Sequence, residues 1–496
     1  MLSFANKAKG IVTDGDPLAY VMAPPPNESE EERQARLAAE AEAKRISDAI
    51  DEELQRQAKS ERRGPRPVKI LLLGQSESGK STTLKNFQLM NTPSAFRKER
   101  ASWRAVVHLN IVRSIRVILE AMAEIQAQSP YNSSPIRTHP PDSLAHSPSL
   151  VPRPSHRSLT PEHLKLKLRL SPLIQVEEEL IRRLTPVGSG ELEATHLHGD
   201  RSRALDRELT VNSQLAWRGV FQRMVGRNSG DGEGDYIDPG DPARVLHACA
   251  DDMIALWHDP AIKTMLRSQG TRLEDLPGFF LDCIERVTHP KYVPTDDDIL
   301  RARLKTVGVS EHRFSIKEGY SGTMARDLRI YDVGGHRSLR GNEICAAWAP
   351  FFDDMNAILF LAPLSGFDQV LTEDPSVNRL EDSVLLWKSI CSNPLLGKTT
   401  IILFLNKIDI FQAKLESGVS FSQFIISYGN RPNTFEDTSM YMRRKFGQIH
   451  KEYSPQARSF YSHFTSVTNT ETTKDLLLNV QESIILANLR SINLTN

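Results

Sequence analysis

The sequence predicts an α/β fold built on a six-stranded, mostly parallel sheet, with an inserted all-α domain and a separate N-terminal helix. Three observations support this prediction. Residues 68–73 form an apolar run of strand length that ends in a glycine-rich loop. After Pro294, short β-like runs alternate with helical stretches, which is typical of a parallel sheet covered by helices. Residues 92–300 are helical in character, so they interrupt the sheet between its first and second strands.

The N-terminal part of the chain predicts an arm followed by a helix. Residues 1–26 end in three prolines and show no periodic pattern, which indicates a flexible arm. Residues 27–64 are rich in Ala, Glu, Arg and Lys, and Ile46, Ile50 and Leu54 place one thin apolar stripe on the predicted helix. A stripe this narrow leaves two readings open: a solvated charged helix, or a helix that docks on another protein.

Composition divides the rest of the chain into a sheet domain and a helical insert. We assign residues 65–91 and 301–496 to the sheet domain and residues 92–300 to the insert. Within the insert, residues 129–161 are rich in proline and serine and residues 226–242 in glycine and acid, so both stretches should be disordered. The predicted helices of the insert are 101–125, 162–184, 215–224, 243–257 and 273–287. The predicted strands are 68–73, 313–316, 328–333, 357–361, 401–405 and 459–464.

Composition also limits the classes of function. The 62 basic and 62 acidic side chains balance, which argues against nucleic acid as the main partner. The four cysteines are scattered without metal-ligand spacing, as expected for reduced thiols in a cytoplasmic protein. No apolar run approaches membrane-spanning length, and Leu2 in place of Gly excludes N-myristoylation. Attachment to a membrane would therefore depend on a partner or on a polybasic patch.

The loop after the first predicted strand has the spacing of a phosphate-binding P-loop. It reads Gly74-x-x-x-x-Gly79-Lys80-Ser81, and a helical stretch without Gly or Pro follows. Backbone N–H groups of the loop and of the helix N-terminus would face the phosphates. Lys80 would neutralise phosphate oxygens, and the Ser81 hydroxyl would ligate Mg²⁺. A plain Gly/Ser turn is the alternative, and the order of strand, loop and helix argues against it.

Three further strand ends complete one predicted nucleotide site, because ligands of open α/β sheets bind beyond the carboxyl ends of the strands. Asp332 would hold Mg²⁺ through water, and Gly335 would let a γ-phosphate approach the backbone. Asp409, which closes an Asn-Lys-Ile-Asp motif, would accept two hydrogen bonds from guanine while the lysine stem of the motif packs on the purine. Backbone N–H groups in 465–468 would meet the guanine oxygen. The predicted base is guanine.

Together these motifs resemble the heterotrimeric G-protein alpha subunits. The resemblance covers residues 27–496 apart from the two predicted disordered stretches. It implies a Ras-like P-loop GTPase domain with an inserted all-α helical domain, and GDP or GTP with Mg²⁺ buried between the two. The matching segments are 74–82, 298–306, 332–335, 364–370, 406–409 and 461–465.

The resemblance also implies roles for single residues. Arg303 matches the built-in arginine finger, Thr306 the switch I residue that ligates Mg²⁺ together with Ser81, and Glu77 the partner of the finger when GTP is absent. An arginine finger accelerates hydrolysis by about 10³–10⁵, and the place of Arg303 shortly before Thr306 supports this role over that of a surface arginine. The expected catalytic residues are Arg303, His336 and Lys80. The expected nucleotide-binding residues are Gly74, Glu77, Ser78, Gly79, Lys80, Ser81, Thr82, Leu300, Arg301, Arg303, Thr306, Asp332, Gly334, Gly335, Asn406, Lys407, Asp409 and Val467.

The partners implied by the resemblance are a G-protein βγ dimer, a G-protein-coupled receptor, a downstream effector and a GTPase-activating regulator. The βγ dimer would bind the N-terminal helix and switch II, and the receptor would bind the C-terminal helix. Leu339 and Glu343 depart from the switch II pattern of the family, so the contacts with effector and βγ should differ. Such partners would hold this protein at the inner face of the plasma membrane, since no N-terminal lipidation site is visible.

Two departures from the family pattern concern catalysis. His336 stands where the family has the Gln that orients the attacking water, and imidazole cannot present the same paired donor and acceptor. Gln75 and Ser76 stand where the family has Ala and Gly, and a side chain at position 76 projects toward the γ-phosphate. We therefore predict GTP binding with slow hydrolysis. The alternatives are a GTP-locked module that signals without turnover and, opposed by the guanine motif, a general P-loop ATPase or kinase.

Overall fold

The computed structural model describes most of the chain and divides it into two units. The units are Met1–Arg66 and Pro67–Asn496. The described residues are 29–63, 67–128, 159–184, 210–211, 241–276, 278–306, 309–318, 324–334, 355–371 and 374–493.

In the first unit the structure describes one helix, α1, which spans Glu30–Arg63. Ion pairs between successive turns, such as Arg36 with Glu40 at 2.8 Å, run along it and contribute only a few tenths of a kcal/mol each. The apolar stripe predicted from the sequence is open to solvent within this unit. The residues of this stripe are about half exposed: Ile46 51%, Ile50 54% and Leu54 56%.

The second unit is built on the predicted six-stranded sheet. Its strands are β1 Val68–Leu73, β2 Val309–Glu318, β3 Met324–Val333, β4 Ala357–Pro363, β5 Thr400–Asn406 and β6 Phe460–Thr465. The spatial order is β2-β3-β1-β4-β5-β6, with β2 antiparallel to β3 and every other neighbouring pair parallel. The fold class predicted from the sequence is therefore confirmed.

The antiparallel pair β2 and β3 is longer than the predicted runs 313–316 and 328–333. Each strand has 10 residues, and the ladder runs without a gap along both. β2 is an edge strand, so polar residues such as His312 and Arg313 fit it without being buried on both faces. A search for apolar runs misses the ends of such a strand for this reason.

Alternate side chains of the central strands pack on opposite faces of the sheet. On one face Leu71 of β1 lies in a buried cluster with Phe360 and Trp387. On the other face Leu72 lies in a second cluster with Phe87. Because helices cover both faces, β1, β4 and β5 have nearly continuous apolar sequences.

The described part of the second unit also contains α-helices and short 3₁₀ turns. None of the helices in the described ranges is long and apolar enough to cross a membrane. The α-helices are α2 Lys80–Asn91, α3 Pro93–Lys98, α4 Arg100–Gln128, α5 Pro161–Arg169, α6 Leu173–Leu184, α7 Pro242–Ala248, α8 Ala250–His258, α9 Pro260–Ser268, α10 Ile284–Thr288, α11 Asp296–Arg301, α12 Arg379–Ser392, α13 Ile408–Glu416, α14 Phe421–Phe424, α15 Phe435–Tyr453 and α16 Thr470–Asn493. The 3₁₀ turns are Leu273–Asp275, Leu281–Cys283, Leu364–Asp368, Pro394–Leu396 and Ile426–Tyr428.

Helix α4 is the centre of the helical insert, which comprises α3 to α11. Val106, Leu109, Ile115 and Met122 lie on different sides of α4, and all four are buried. Residues of α6, α8, α9 and α10 belong to the same apolar cluster. A helix that is apolar on more than one face must be covered on several sides, as its sequence predicts.

The two stretches predicted to be disordered end in ordered helix caps. The Thr160 hydroxyl accepts a hydrogen bond from a backbone N–H in the first turn of α5 at 3.4 Å. The Asp241 carboxylate does the same for α7 at 3.2 Å. The last residues of 129–161 and 226–242 are therefore held by capping bonds. The remainder of both stretches, and the predicted helix 215–224, lie outside the described residues.

Three predicted helices are divided in the structure. The stretch 162–184 forms α5 and α6, which are separated by a turn at residues 170–172. The stretch 243–257 forms α7 and α8, which meet at Cys249. The stretch 273–287 consists of two 3₁₀ turns followed by α10. Gly278 between these turns has a φ of +82°, a left-handed conformation that a continuous helix does not allow.

Candidate nucleotide site

The glycine-rich loop joins β1 to α2 in a conformation that two of its glycines require. Gly74 has a φ of +146° and Gly79 a φ of +104°, which residues with side chains rarely adopt. A Cβ atom on Gly74 would lie 2.5 Å from the Leu361 carbonyl oxygen, and one on Gly79 would collide with the Asn406 side chain. These two glycines therefore let the loop pack directly against the ends of β4 and β5.

Lys80 lies inside this loop. Its ammonium group donates hydrogen bonds to the carbonyl oxygens of Gly74 at 2.9 Å and Gln75 at 2.8 Å, and the residue is buried. A buried ammonium requires such acceptors or an anion. The N-terminus of α2 adds the positive end of a helix dipole at the same place. The loop is therefore chemically suited to bind phosphate.

Ser81 and Asp332 meet at the carboxyl end of β3. The Ser81 hydroxyl donates a hydrogen bond to Asp332 Oδ2 at 3.1 Å, and Asp332 is buried. Hydroxyl and carboxylate oxygens are the ligands that Mg²⁺ prefers. Within the described ranges no cluster of three His, Cys, Asp or Glu side chains forms a metal site. Ser81 and Asp332, which the sequence predicts to hold Mg²⁺, are thus adjacent in space.

The remaining residues predicted around the γ-phosphate are only partly described. Gly334 is buried directly after β3. The backbone of Thr306 pairs with Val211 in a two-residue parallel ladder, Lys305–Thr306 with Thr210–Val211, and its side chain lies outside the described part of the structure. Gly335 and His336 lie outside it as well.

Glu77 is the centre of a charged cluster. Its Oε1 lies 2.6 Å from Arg303 Nη1, and its Oε2 lies 2.8 Å from Arg379 Nη1. Burial alone would raise the pKa of Glu77, but Arg303, Arg379 and Lys407 outweigh it and lower this pKa from 4.5 to about 2. Glu77 is therefore ionised at neutral pH and holds Arg303 beside the loop.

Arg379 was not predicted from the sequence. It is the first residue of α12, and besides its ion pair with Glu77 it donates a hydrogen bond from Nη2 to the Ser76 carbonyl oxygen at 3.0 Å. A single guanidinium thus holds both the backbone and an acidic side chain of the loop. No local spacing identifies it, because the loop and α12 are about 300 residues apart in the chain.

The Gln75 side chain faces α12 rather than the lysine in the loop. Its Nε2 donates hydrogen bonds to the Arg379 carbonyl oxygen at 2.6 Å and to the Ser383 hydroxyl, and the residue is fully buried. This departure from the family pattern therefore has a packing explanation of its own. Of the two loop departures, only Ser76 keeps its predicted effect on hydrolysis, which stays a prediction.

Asn406 connects three segments at the predicted guanine end of the site. Its Nδ2 donates to the Ser78 carbonyl oxygen at 2.7 Å, and its Oδ1 accepts from the Thr465 hydroxyl at 3.1 Å and the Val467 N–H at 3.3 Å. Asn406 is fully buried. Its role in the structure is to fix the loop against the end of β6. Asn86 of α2, a second residue that no sequence motif identifies, donates to the Val467 carbonyl oxygen at 2.9 Å.

The other two motif residues lie beside Asn406. Lys407 has a φ of +60° and precedes α13, and burial lowers its pKa from 10.5 to about 8, although Glu77 acts in the opposite direction. Asp409 is exposed in the first turn of α13. The left-handed conformation of Lys407 thus marks the turn from β5 into α13.

The segment before Arg303 is fastened to α2. The Thr82 hydroxyl donates to the Leu300 carbonyl oxygen at 3.4 Å. Lys85, which no sequence motif identifies, donates to the carbonyl oxygens of Ile299 at 2.8 Å and Ala302 at 2.7 Å. Arg301, by contrast, is exposed and pairs with Asp297 on its own helix at 3.1 Å. Of the two predicted nucleotide-binding residues of α11, Leu300 and Arg301, Leu300 is therefore the one held next to α2.

A buried lysine connects the sheet side of the unit with the helical insert. Lys414 of α13 is 2% exposed, and its Nζ lies 2.6 Å from Asp368 Oδ1 after β4 and 3.1 Å from Asp275 Oδ2 of the insert. It also donates to the Ser365 carbonyl oxygen at 2.9 Å. This bridge, unlike the P-loop, has no sequence signature.

The fold and the loop geometry define a P-loop nucleotide-binding protein with an inserted helical domain. The chain belongs to the G-protein alpha subunit family, whose family model matches residues 44–484. Members of this family bind guanine nucleotides in signal transduction and are generally GTPases.

Fungal relatives of full length support this assignment. The chain is 31% identical to the guanine nucleotide-binding protein alpha-4 subunit of Mycosarcoma maydis, over 98% of this chain and 97% of that protein. It is 30% identical to a guanine nucleotide-binding protein subunit alpha of Emericella nidulans, over 89% of this chain and 95% of that protein. It is also 29% identical to the alpha-1 subunit of Mycosarcoma maydis, over 90% and 96%.

Proposed function

We propose that this chain is a signalling switch that binds GDP or GTP with Mg²⁺, hydrolyses GTP slowly and couples a membrane receptor to effectors. The observation that carries the proposal is the Glu77–Arg303 ion pair at 2.6 Å, beside the buried ammonium of Lys80. An arginine held next to a phosphate loop is the arrangement expected of a GTPase that carries its arginine finger in its own chain.

The proposed contacts follow the predicted assignments. Gly74 and residues 77–82 of the loop bind the phosphates, and Asp409 and Lys407 bind guanine, with Asn406 and Val467 supporting them. The oxygen donors of Ser81 and Asp332, with Thr306, suit Mg²⁺. When bound, Mg²⁺ would neutralise charge on the β- and γ-phosphates.

Arg379 explains how Arg303 can leave Glu77 during hydrolysis. A buried carboxylate that loses its partner costs several kcal/mol. Glu77 keeps its second partner, because Arg379 binds the other carboxylate oxygen at 2.8 Å. Arg303 can then turn to the γ-phosphate, where it stabilises the charge of the transition state, while Lys80 contacts the phosphate oxygens.

Slow hydrolysis is proposed from His336 and Ser76, and single-turnover assays test it. The protein should be purified with GDP bound, and His336→Gln and Ser76→Gly should each hydrolyse GTP faster than the parent, whereas Arg303→Ala should be slower. His258→Gln, which alters an exposed histidine of α8, is the matched control and should match the parent.

Other results would change the proposal. A His336→Gln variant no faster than the parent contradicts the explanation for slow turnover. GTP bound after purification, with no hydrolysis, supports the alternative of a GTP-locked module. Equal affinities for ATP and GTP would favour a general P-loop ATPase or kinase.

The proposed partners are a βγ dimer at α1 and switch II, a receptor at α16, an effector and a GTPase-activating regulator. The exposed apolar stripe of α1 supports the first assignment, since such stripes bind in apolar grooves. These partners would place the protein peripherally at the inner face of the plasma membrane. Fractionation of cells that lack the β subunit tests this, and retention of the protein on membranes there would contradict attachment through βγ.

A further inference from the structure

The side-chain amide of Asn110 in α4 binds both the N–H and the carbonyl group of the Arg303 backbone. Asn110 Oδ1 accepts a hydrogen bond from the Arg303 N–H at 2.8 Å, and Asn110 Nδ2 donates one to the Arg303 carbonyl oxygen at 3.0 Å. The two bonds together imitate the pairing of a β-strand neighbour. Asn110 is 7% exposed, so these bonds are shielded from competing water.

The surroundings of Asn110 leave it little freedom. It lies in the buried central helix of the insert, between Leu109 and Ile111, which are also buried. On the far side of the contact a Cβ on Gly278 would lie 2.8 Å from Asn110 Oδ1 and 3.0 Å from Arg303 Cβ. Gly278 therefore makes room for the pairing, and α4 fixes the direction of the amide.

A second contact fixes the backbone just before Arg303. Lys85 of α2 binds the carbonyl oxygens of Ile299 and Ala302, and its ammonium lies 4.3 Å from the ring centroid of Trp103. The segment at Arg303 is thus held from the sheet side by α2 and from the insert side by α4. Neither contact involves the guanidinium itself.

We propose that Asn110 is a positioning residue for hydrolysis, which fixes the backbone of Arg303 so that its guanidinium can alternate between Glu77 and the γ-phosphate. This inference rests on the proposed function. It assigns the helical insert a share in the chemistry, through one amide in its core. A displacement of about 1 Å in a catalytic group can cost about 10²-fold in rate, whereas complete loss of an arginine finger costs about 10³–10⁵.

The test compares single-turnover GTP hydrolysis in two backgrounds. Asn110→Ala should slow hydrolysis by about 10–100-fold in the parent and by less than about twofold in Arg303→Ala, since in that background no guanidinium remains to be positioned. Ser114→Ala, one turn further along α4, is the matched control. In the described part of the structure the Ser114 hydroxyl binds only the Asn110 carbonyl oxygen, so this variant should match the parent.

Binding measurements separate positioning from general damage. Asn110→Ala should leave the affinity for GDP within about twofold of the parent, yet weaken the binding of fluoroaluminate to the GDP complex, because that complex imitates the transition state. If Asn110→Ala does not fold, Asn110→Ser is measured in its place. The serine variant keeps a small polar group but cannot make both bonds.

The outcomes distinguish this inference from the proposed function. The role of Asn110 is overturned if Asn110→Ala slows hydrolysis equally in both backgrounds. It is also overturned if Asn110→Ala hydrolyses GTP as fast as the parent while Arg303→Ala is slow. Both results leave the proposed function intact. An Arg303→Ala variant as fast as the parent overturns the proposed function, and the role of Asn110 with it.

Discussion

Replacing Lys414 by Met should open the contact between the helical insert and the sheet side of the second unit. The change leaves Asp275 and Asp368, which are 15% and 13% exposed, without the ammonium between them. Removal of one partner from a buried ion pair costs about 3–5 kcal/mol. If about 3 kcal/mol of this cost weakens the contact between the insert and the sheet side, the ratio of molecules with this contact closed to molecules with it open falls about 10²-fold.

The assay is the rate at which a fluorescent GDP analogue dissociates, together with thermal unfolding. We expect Lys414→Met to release GDP up to about 100-fold faster than the parent. Asp275→Asn should show most of this effect, because Asp275 is the partner that lies in the insert. Asp368→Asn should mainly lower the melting temperature, because Asp368 and Lys414 both belong to the sheet side.

Gln412→Ala provides the matched control on the same helix. Its side chain is exposed and binds Glu416 within α13, so both measurements should match the parent. Equal acceleration of GDP release by Asp275→Asn and Asp368→Asn would refute the reasoning, since only the first of these bridges connects the insert to the sheet.

Two further predictions concern the loop. The pKa of Glu77 is lowered to about 2, so its ion pairs stabilise the fold fully above about pH 4.5 and are lost as the pH falls toward 2. Glu77→Gln should therefore lower the free energy of unfolding by roughly 3 kcal/mol at pH 6 and by much less near pH 2, as urea titrations at several pH values would show; a pH-independent difference would contradict this. Gln75→Ala should lower the free energy of unfolding by about 1–3 kcal/mol with GTP hydrolysis unchanged, because its amide binds α12; faster hydrolysis in this variant would show that Gln75 acts on the nucleotide.

The parts of the fold that the sequence predicts well are those with a strong local pattern. The predicted bounds of β1 agree with the structure to the residue, because a strand covered on both faces is a nearly continuous apolar run. β2 was predicted only at its centre, because an edge strand tolerates polar residues such as His312. The helix breaks at Cys249 and Gly278 depend on tertiary packing and backbone geometry. The spacing of apolar residues in the sequence does not reveal either of these.

The site follows the same division. Gly74, Gly79 and Lys80 have a fixed spacing that reflects the geometry of one loop, so the sequence predicts them together. Arg379 and Asn110 act on segments that are far away in the chain, and no spacing connects them with their targets. One signal for Asn110 was available: it is a polar residue within an apolar helical run, and a buried amide needs a partner.

The position of β1 in the sheet also has a consequence for biosynthesis. Leu72 pairs with Asp332 on one side and with Leu359 on the other, so its neighbours are encoded on the order of 260 residues later. At roughly 5–20 residues per second, the ribosome takes about ten to fifty seconds to make them. An apolar strand with two open edges favours pairing with other chains during that interval. We therefore expect the yield of this protein in cells to depend on how its nascent chain is protected, a requirement separate from the stability of the finished fold.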